Sequence, residues 1–237
     1  MLKKGLLITL TLLFAIQSSF AKAPTVKILS LSGDVKIRRG VEENWQRAGV
    51  GMALEEIDTI LTGEAATVTL ETPDGGTFRL GSFAILDIAD LRKISEREMF
   101  VFLMKQKVNQ IPDRPEKVKL RVGNVSVIHG TSSAEATRNK SGPDDSQNWK
   151  QETNGAQALY EQGYYPNAVV KLHKVLAKHP DREDCGEVYF NLGKAFEALQ
   201  KNGQAIDAYK IVLERPCENG ASKQRAEAAR EAIERLK

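Results

Sequence analysis

The chain reads as a β-rich module followed by an α-helical one, and three observations carry that reading. Short runs alternating apolar with polar residues fill the first part: Val26-Ile28-Leu29, Val35-Ile37, Val68-Leu70, Phe78-Leu80 and Ile85-Ile88. Apolar and small residues recur at helical spacing, twice over, in the last part. Between them Thr131 to Gln147, TSSAEATRNKSGPDDSQ, holds no large apolar side chain and is crowded with Ser, Thr, Asn, Asp, Gly and Pro. The predicted boundaries are a signal peptide at 1–21, a β module at 24–131, a linker at 132–147 and a helical module at 148–237. Modules flanking such a linker are expected to melt separately.

The N-terminus combines Lys3 and Lys4, an apolar run from Gly5 to Ile16, polar Gln17, Ser18 and Ser19, and small residues at Ala21 and Ala23. This is the pattern of a secretory signal peptide, cleaved after Ala21 or Ala23. The run is too short for a membrane anchor: its 12 residues reach about 18 Å as a helix, against a hydrocarbon core of about 30 Å. The mature chain is therefore expected outside the cytoplasm, in the periplasm, with no membrane span. Lys3, Lys4 and Lys22 account for the whole net charge of +3, and from Lys27 onward the chain carries 31 basic and 31 acidic residues. Neither module is a basic body suited to nucleic acid.

Turn signals punctuate the β module at Gly33-Asp34, Pro73-Asp74-Gly75-Gly76 and Gly123-Asn124, the last two as hairpin ends. Ser95 with Glu98 forms a capping box ahead of the apolar run Met99 to Met104, which predicts a short helix, with a strand as the alternative. The order of Gly33-Asp34-Val35, Trp45, Gly51, Leu54, Asp58-Thr59-Ile60, Thr62-Gly63, Val68, Leu70, Asp74-Gly75 and Val127-Ile128-His129-Gly130-Thr131 resembles the FecR domain family. That resemblance implies an extracytoplasmic all-β domain, sandwich or solenoid-like, of the kind found in iron-transport regulators and in other secreted and surface proteins.

In the helical module Tyr189, Leu192, Gly193 and Phe196 share one face of a helix, and Ala205, Tyr209 and Val212 one face of the next. Lys201-Asn202-Gly203 breaks the chain between them. Ala156, Leu159, Ala168, Leu172 and Pro180 repeat this spacing 37 residues upstream. The small residues at close helix approaches and the aromatics at either end resemble the tetratricopeptide repeat (TPR) family. A final amphipathic stretch, Ala226, Ala229, Ala232, Ile233 and Leu236, is expected to cap two stacked hairpins.

Cys185 and Cys217 flank the second hairpin, one before its first helix and one after its second, so antiparallel helices bring them together. In an oxidising compartment this predicts a disulfide. The exposed side of the first helix of each hairpin carries Gln157 and Tyr160, then Asn191 and Lys194. Such positions line the concave groove of repeat arrays, where amide and ammonium groups can hold an extended peptide. These four are the candidate partner-binding residues.

His129, His173 and His179 have no Cys or carboxylate at metal-ligand spacing. Gly49-Val50-Gly51 lacks the context and lysine of a phosphate loop. Asp58 and Asp74 read as turn residues, Trp45 as a packing aromatic, and Trp149 as the start of the first repeat helix. The sequence thus predicts a non-enzymatic protein without metal or cofactor, a scaffold or adaptor for another envelope protein or peptide. The alternative is a sensing component whose FecR-like domain reads a receptor or surface ligand.

Overall fold

The computed structural model describes residues 25–42, 44–109 and 148–237. The predicted signal peptide, the Gly123-Asn124 turn, His129 and the linker lie outside those residues. Among the described residues, eight strands come first: β1 (Val26–Ser32), β2 (Val35–Arg38), β3 (Trp45–Arg47), β4 (Ala53–Leu54), β5 (Thr59–Thr62), β6 (Thr67–Glu71), β7 (Thr77–Leu80) and β8 (Ala84–Asp87). A 3-10 turn (Ile88–Leu91) and six helices follow: α1 (Glu96–Asn109), α2 (Asn148–Glu161), α3 (Tyr165–Lys178), α4 (Glu187–Ala198), α5 (Asn202–Glu214) and α6 (Gly220–Leu236). The layout is β first, then α, as the sequence predicts.

The strands make two antiparallel sheets, ordered β4-β1-β6-β7 and β3-β2-β5-β8. Period-two alternation sends Val26, Ile28, Val68, Leu70, Phe78 and Leu80 of one sheet, and Val35, Ile37, Ile60 and Leu86 of the other, into one core. The register between β1 and β6 shifts between Ile28 and Ser30, a bulge at which the alternation breaks and two consecutive residues, Leu29 and Ser30, are exposed. Gly33 turns β1 into β2 at φ +79°, and a Cβ there would lie 2.8 Å from the Ala66 backbone. No larger residue fits that corner.

Asp58 does more than stabilise its own turn. Its carboxylate accepts hydrogen bonds from the backbone N–H of Glu55 and Gly40 and from the Arg39 guanidinium, at 2.9, 3.0 and 2.6 Å. Burial pushes this carboxyl up, but those donors outweigh burial and hold it below its ordinary value. Asp74 keeps the predicted turn role, accepting from the Thr72 hydroxyl and, at 3.4 Å, from the Gly76 N–H. Trp45 is half-buried on the edge strand β3, with the Arg38 guanidinium 5.3 Å over its ring. The capping box forms as read: Glu98 accepts from the Ser95 N–H at 2.8 Å, and Ser95 Oγ accepts from the Glu98 N–H at 3.2 Å. The helix it starts extends well past Met104.

α2 with α3, and α4 with α5, are two hairpins that stack on one another, with α6 packed over the second. Their buried residues include Ala156, Leu159, Ala168, Leu172, Leu192, Gly193, Phe196, Ala205 and Tyr209, most of the repeated pattern. A Cβ on Gly193 would fall 2.6 Å from Tyr209 Cδ1 and 2.7 Å from Cζ, with Cε1 closer still. The aromatic ring occupies the space that glycine leaves. The predicted disulfide is present: Cys185 and Cys217 are bonded, with their Cα atoms 5.4 Å apart.

Although the sequence separates the two parts, the structure joins them along a buried seam. Helix α2 lies against β8, the last strand of its sheet, so closely that a Cβ on Gly155 would overlap the Ile85 carbonyl oxygen. Three side-chain amides serve backbone groups of the β part. Asn154 donates to Phe83 O at 2.7 Å, and Gln162 both accepts from Arg79 N–H at 2.7 Å and donates to Arg79 O at 2.8 Å. Asn167 donates to Asp90 O and Arg92 O at 2.8 and 2.7 Å. Gln162 thereby acts as one residue of an added strand on the β7 edge, satisfying groups that an open edge leaves exposed.

Beside these amides, buried Lys171 reaches Asp90 at 2.7 Å and Asp87 at 3.4 Å, while Lys174 reaches Asp90 at 3.2 Å. Burial lowers the affinity of Lys171 for its proton, but the two carboxylates outweigh that and raise its pKa. The Tyr164 ring meets Phe78 of β7 edge to face, centroids 5.7 Å apart. One core therefore runs through both parts, and separate melting no longer follows from the linker alone.

Candidate binding pocket on the helical array

Helices α2, α4, α5 and α6 enclose a concave pocket of about 610 Å³, within the range of ligand-holding clefts. Its residues arrive by helical spacing. Tyr160 comes from the last turn of α2; Phe190, Lys194, Glu197 and Ala198 form one stripe of α4; Tyr209 comes from α5; Ala228, Glu231, Ala232 and Arg235 form one stripe of α6. Gly193 is what lets Tyr209 approach α4 from below.

Aromatic surface and charge alternate around this pocket. Phe190 and Tyr209 pack at 5.7 Å between centroids, and Tyr160 packs on Tyr165 at 5.5 Å. Lys194 holds its ammonium 4.7 Å over the Tyr160 ring. The Tyr209 hydroxyl donates to Glu197 at 3.1 Å, and the other oxygen of that carboxylate receives Arg235 at 2.8 Å. Burial, then Glu197, raise the Tyr209 pKa, while burial, then Tyr165 and Glu197, raise that of Tyr160. Both phenols stay protonated at neutral pH and can donate hydrogen bonds. Glu197 has both oxygens engaged within the protein, whereas Lys194 faces a ring. The arrangement can accept an apolar or aromatic side chain against the rings, with an acceptor such as a peptide carbonyl or carboxylate at Lys194.

Of the four candidate residues, the structure brings Tyr160 and Lys194 into contact in this pocket. Gln157 lies one turn earlier on α2, with its amide donating to Glu161 at 2.8 Å. Asn191 is half-buried on α4, and neither it nor Gln157 is part of the lining. Sequence reasoning missed Phe190, Glu197 and Arg235. The signal for Arg235 was present, because Ala228, Ala232 and Arg235 sit at i, i+4 and i+7 of α6. Periodicity alone marks that helix as a cap.

Neither His173 nor His179 is part of this lining. His173 is half-buried with its ring edge-on to Phe196 at 6.3 Å, and burial pushes it down to about 4, so it is neutral at pH 7. His179 lies 3.4 Å from Glu152 at the end of α3. Among the described residues, no three of His, Cys, Asp and Glu are placed to share a metal ion, and no helix is long and apolar enough to cross a membrane. No model of a known protein family matches the chain. Nor does any curated protein match it.

Proposed function

We propose that this protein is an exported, non-enzymatic scaffold or adaptor of the cell envelope, in which the helical array holds a segment of a partner protein and the β part provides a rigid base. The observation that carries this reading is the pocket where Tyr160, Phe190 and Tyr209 form an aromatic floor with Lys194 at its rim. Such a floor buries an apolar side chain, and the cation fixes the orientation of the peptide that bears it. The Cys185–Cys217 bond supports an oxidising compartment, because thiols of cytosolic proteins are kept reduced. Likeness to the FecR domain family, together with the signal-peptide pattern, supports the periplasm as the setting.

The test is affinity capture from periplasmic extract, with quantitative mass spectrometry, using wild type, Tyr160→Ala, Lys194→Glu and the control Lys27→Glu on exposed β1. A specific partner should be enriched by wild type and the control, and its retention should fall by about tenfold or more in both pocket variants, the loss expected for a central contact. Equal retention by all four proteins would refute the assignment of this pocket.

A further inference from the structure

Helix α1 carries an apolar stripe that the described residues leave open. Phe100, Val101 and Met104 are 58, 60 and 46% exposed on neighbouring turns. By helical spacing Phe100 and Met104 continue into Leu103 and Lys107. The latter two form one wall of a groove of about 500 Å³ whose floor includes Leu176, Leu192 and Ile211. An exposed apolar stripe running into an apolar groove marks a surface built to be covered.

We propose that this stripe and groove seat the chain's own segment Val118–Ile128, VKLRVGNVSVI. Three observations select this occupant over a second copy or a foreign partner. First, α1 ends at Asn109 beside the groove it lines, and the eight residues at 110–117 reach up to about 26 Å when extended, enough to lay Val118 anywhere along it. Second, the segment has the complementary pattern. Read as a hairpin turning at Gly123-Asn124, the sequence puts Val118, Leu120, Val122, Val125 and Val127 on one face, and Lys119, Arg121 and Ser126 with the single apolar Ile128 on the other. Third, the tether gives the segment an effective concentration in the millimolar range at α1, which a separate molecule at cellular concentration does not match. This inference is independent of the pocket on the opposite hairpin face and stands or falls without it.

The test is photo-crosslinking of the full exported protein carrying benzoylphenylalanine in place of Met104, with a second protein carrying it in place of Leu29 on β1 as control. The Met104 probe should give an adduct of monomer mass whose link maps within residues 118–128, and the Leu29 probe should not. Adding Val122→Asp and Val125→Asp should reduce that adduct by about tenfold. A dimer-mass adduct would assign the face to a second copy, and a link to a co-purifying protein would assign it to a partner. Either of those, a link elsewhere in the chain, or no adduct at all would overturn the proposal.

Discussion

Replacing Gly155 by Ala adds one methyl group at the tightest point of the seam, and its cost can be worked from the geometry. The new Cβ would overlap Ile85 O, lie 3.0 Å from the Ile85 carbonyl carbon and 3.2 Å from Lys171 Cε. The lysine stem can give way, but Ile85 is held by its ladder with Leu61 of β5. Relief must come from α2 moving off the sheet by about 1 Å, which is overpacking of the kind that costs about 1–3 kcal/mol. Moving α2 also stretches three hydrogen bonds, that of Asn154 to Phe83 and the two of Gln162 to Arg79, a combined loss of about 2 kcal/mol. Alanine returns about 1 kcal/mol through helix propensity. The net loss is about 2–4 kcal/mol, a fall in Tm of about 5–15 °C for a domain of this size. Gly203→Ala is the matched control, since it lies in the first turn of α5 with open space around its Cβ, and it should be neutral or slightly stabilising. Melting followed by far-UV circular dichroism and by tryptophan fluorescence (Trp45 in the β part, Trp149 in α2) should show one coincident transition shifted in Gly155→Ala. If Gly155→Ala melts at or above the wild-type temperature, or if the helical signal shifts alone, the two parts do not form one cooperative unit and the seam argument fails.

Reducing the Cys185–Cys217 bond, which spans 32 residues, should destabilise the helical array by about 3–4 kcal/mol on loop-closure grounds. Urea midpoints with and without reductant measure this, and unreduced denatured protein should expose no labelled thiol. Lys171→Met leaves Asp90 buried with only Lys174 as a cation and should cost about 3–5 kcal/mol; a variant as stable as wild type in urea would show that the cluster is not strained by the loss. Asp58 and Asp87 are both held below the ordinary carboxylate value, each because charge and hydrogen-bond partners outweigh burial. Their contribution is therefore present above the unfolded pKa of about 4 and is lost as pH falls through the folded values. The urea midpoint should drop below about pH 4, less steeply in Asp58→Asn, and a midpoint flat to pH 3 would contradict the assignment.

Local chemistry was legible wherever a residue's role depends on neighbours in sequence. The capping box at Ser95 and Glu98 forms as read, because both partners lie within one turn. Strands β1, β2, β6 and β7 follow from alternation, since each has one buried face and one more open, whereas β8 shows itself only as a short apolar run because Ala84, Ile85 and Leu86 are all buried. β5 was not found this way: Thr59 to Thr62 are buried on both faces between β2 and β8, so no alternation marks them. β3 and β4 are too short for a period to register. In the pocket, Tyr160 and Lys194 were found from the exposed stripe of a helix. Glu197 and Arg235 were not, because their pairing joins α4 to α6 across an angle that only packing sets.

The sequence by itself determined the β-then-α order, the helical hairpins with their small-residue contacts, and the pairing of Cys185 with Cys217. All three follow from periodicity and from the ends that one hairpin brings together. Only the tertiary structure decided that the two parts share a core. The groups that join them, Asn154, Gln162, Asn167 and Lys171, are polar residues on helix surfaces whose partners are backbone atoms and carboxylates some 70 to 85 positions away. Backbone acceptors have no side-chain identity for a sequence to display, so this seam becomes visible only once the strands have placed their edges against α2 and α3.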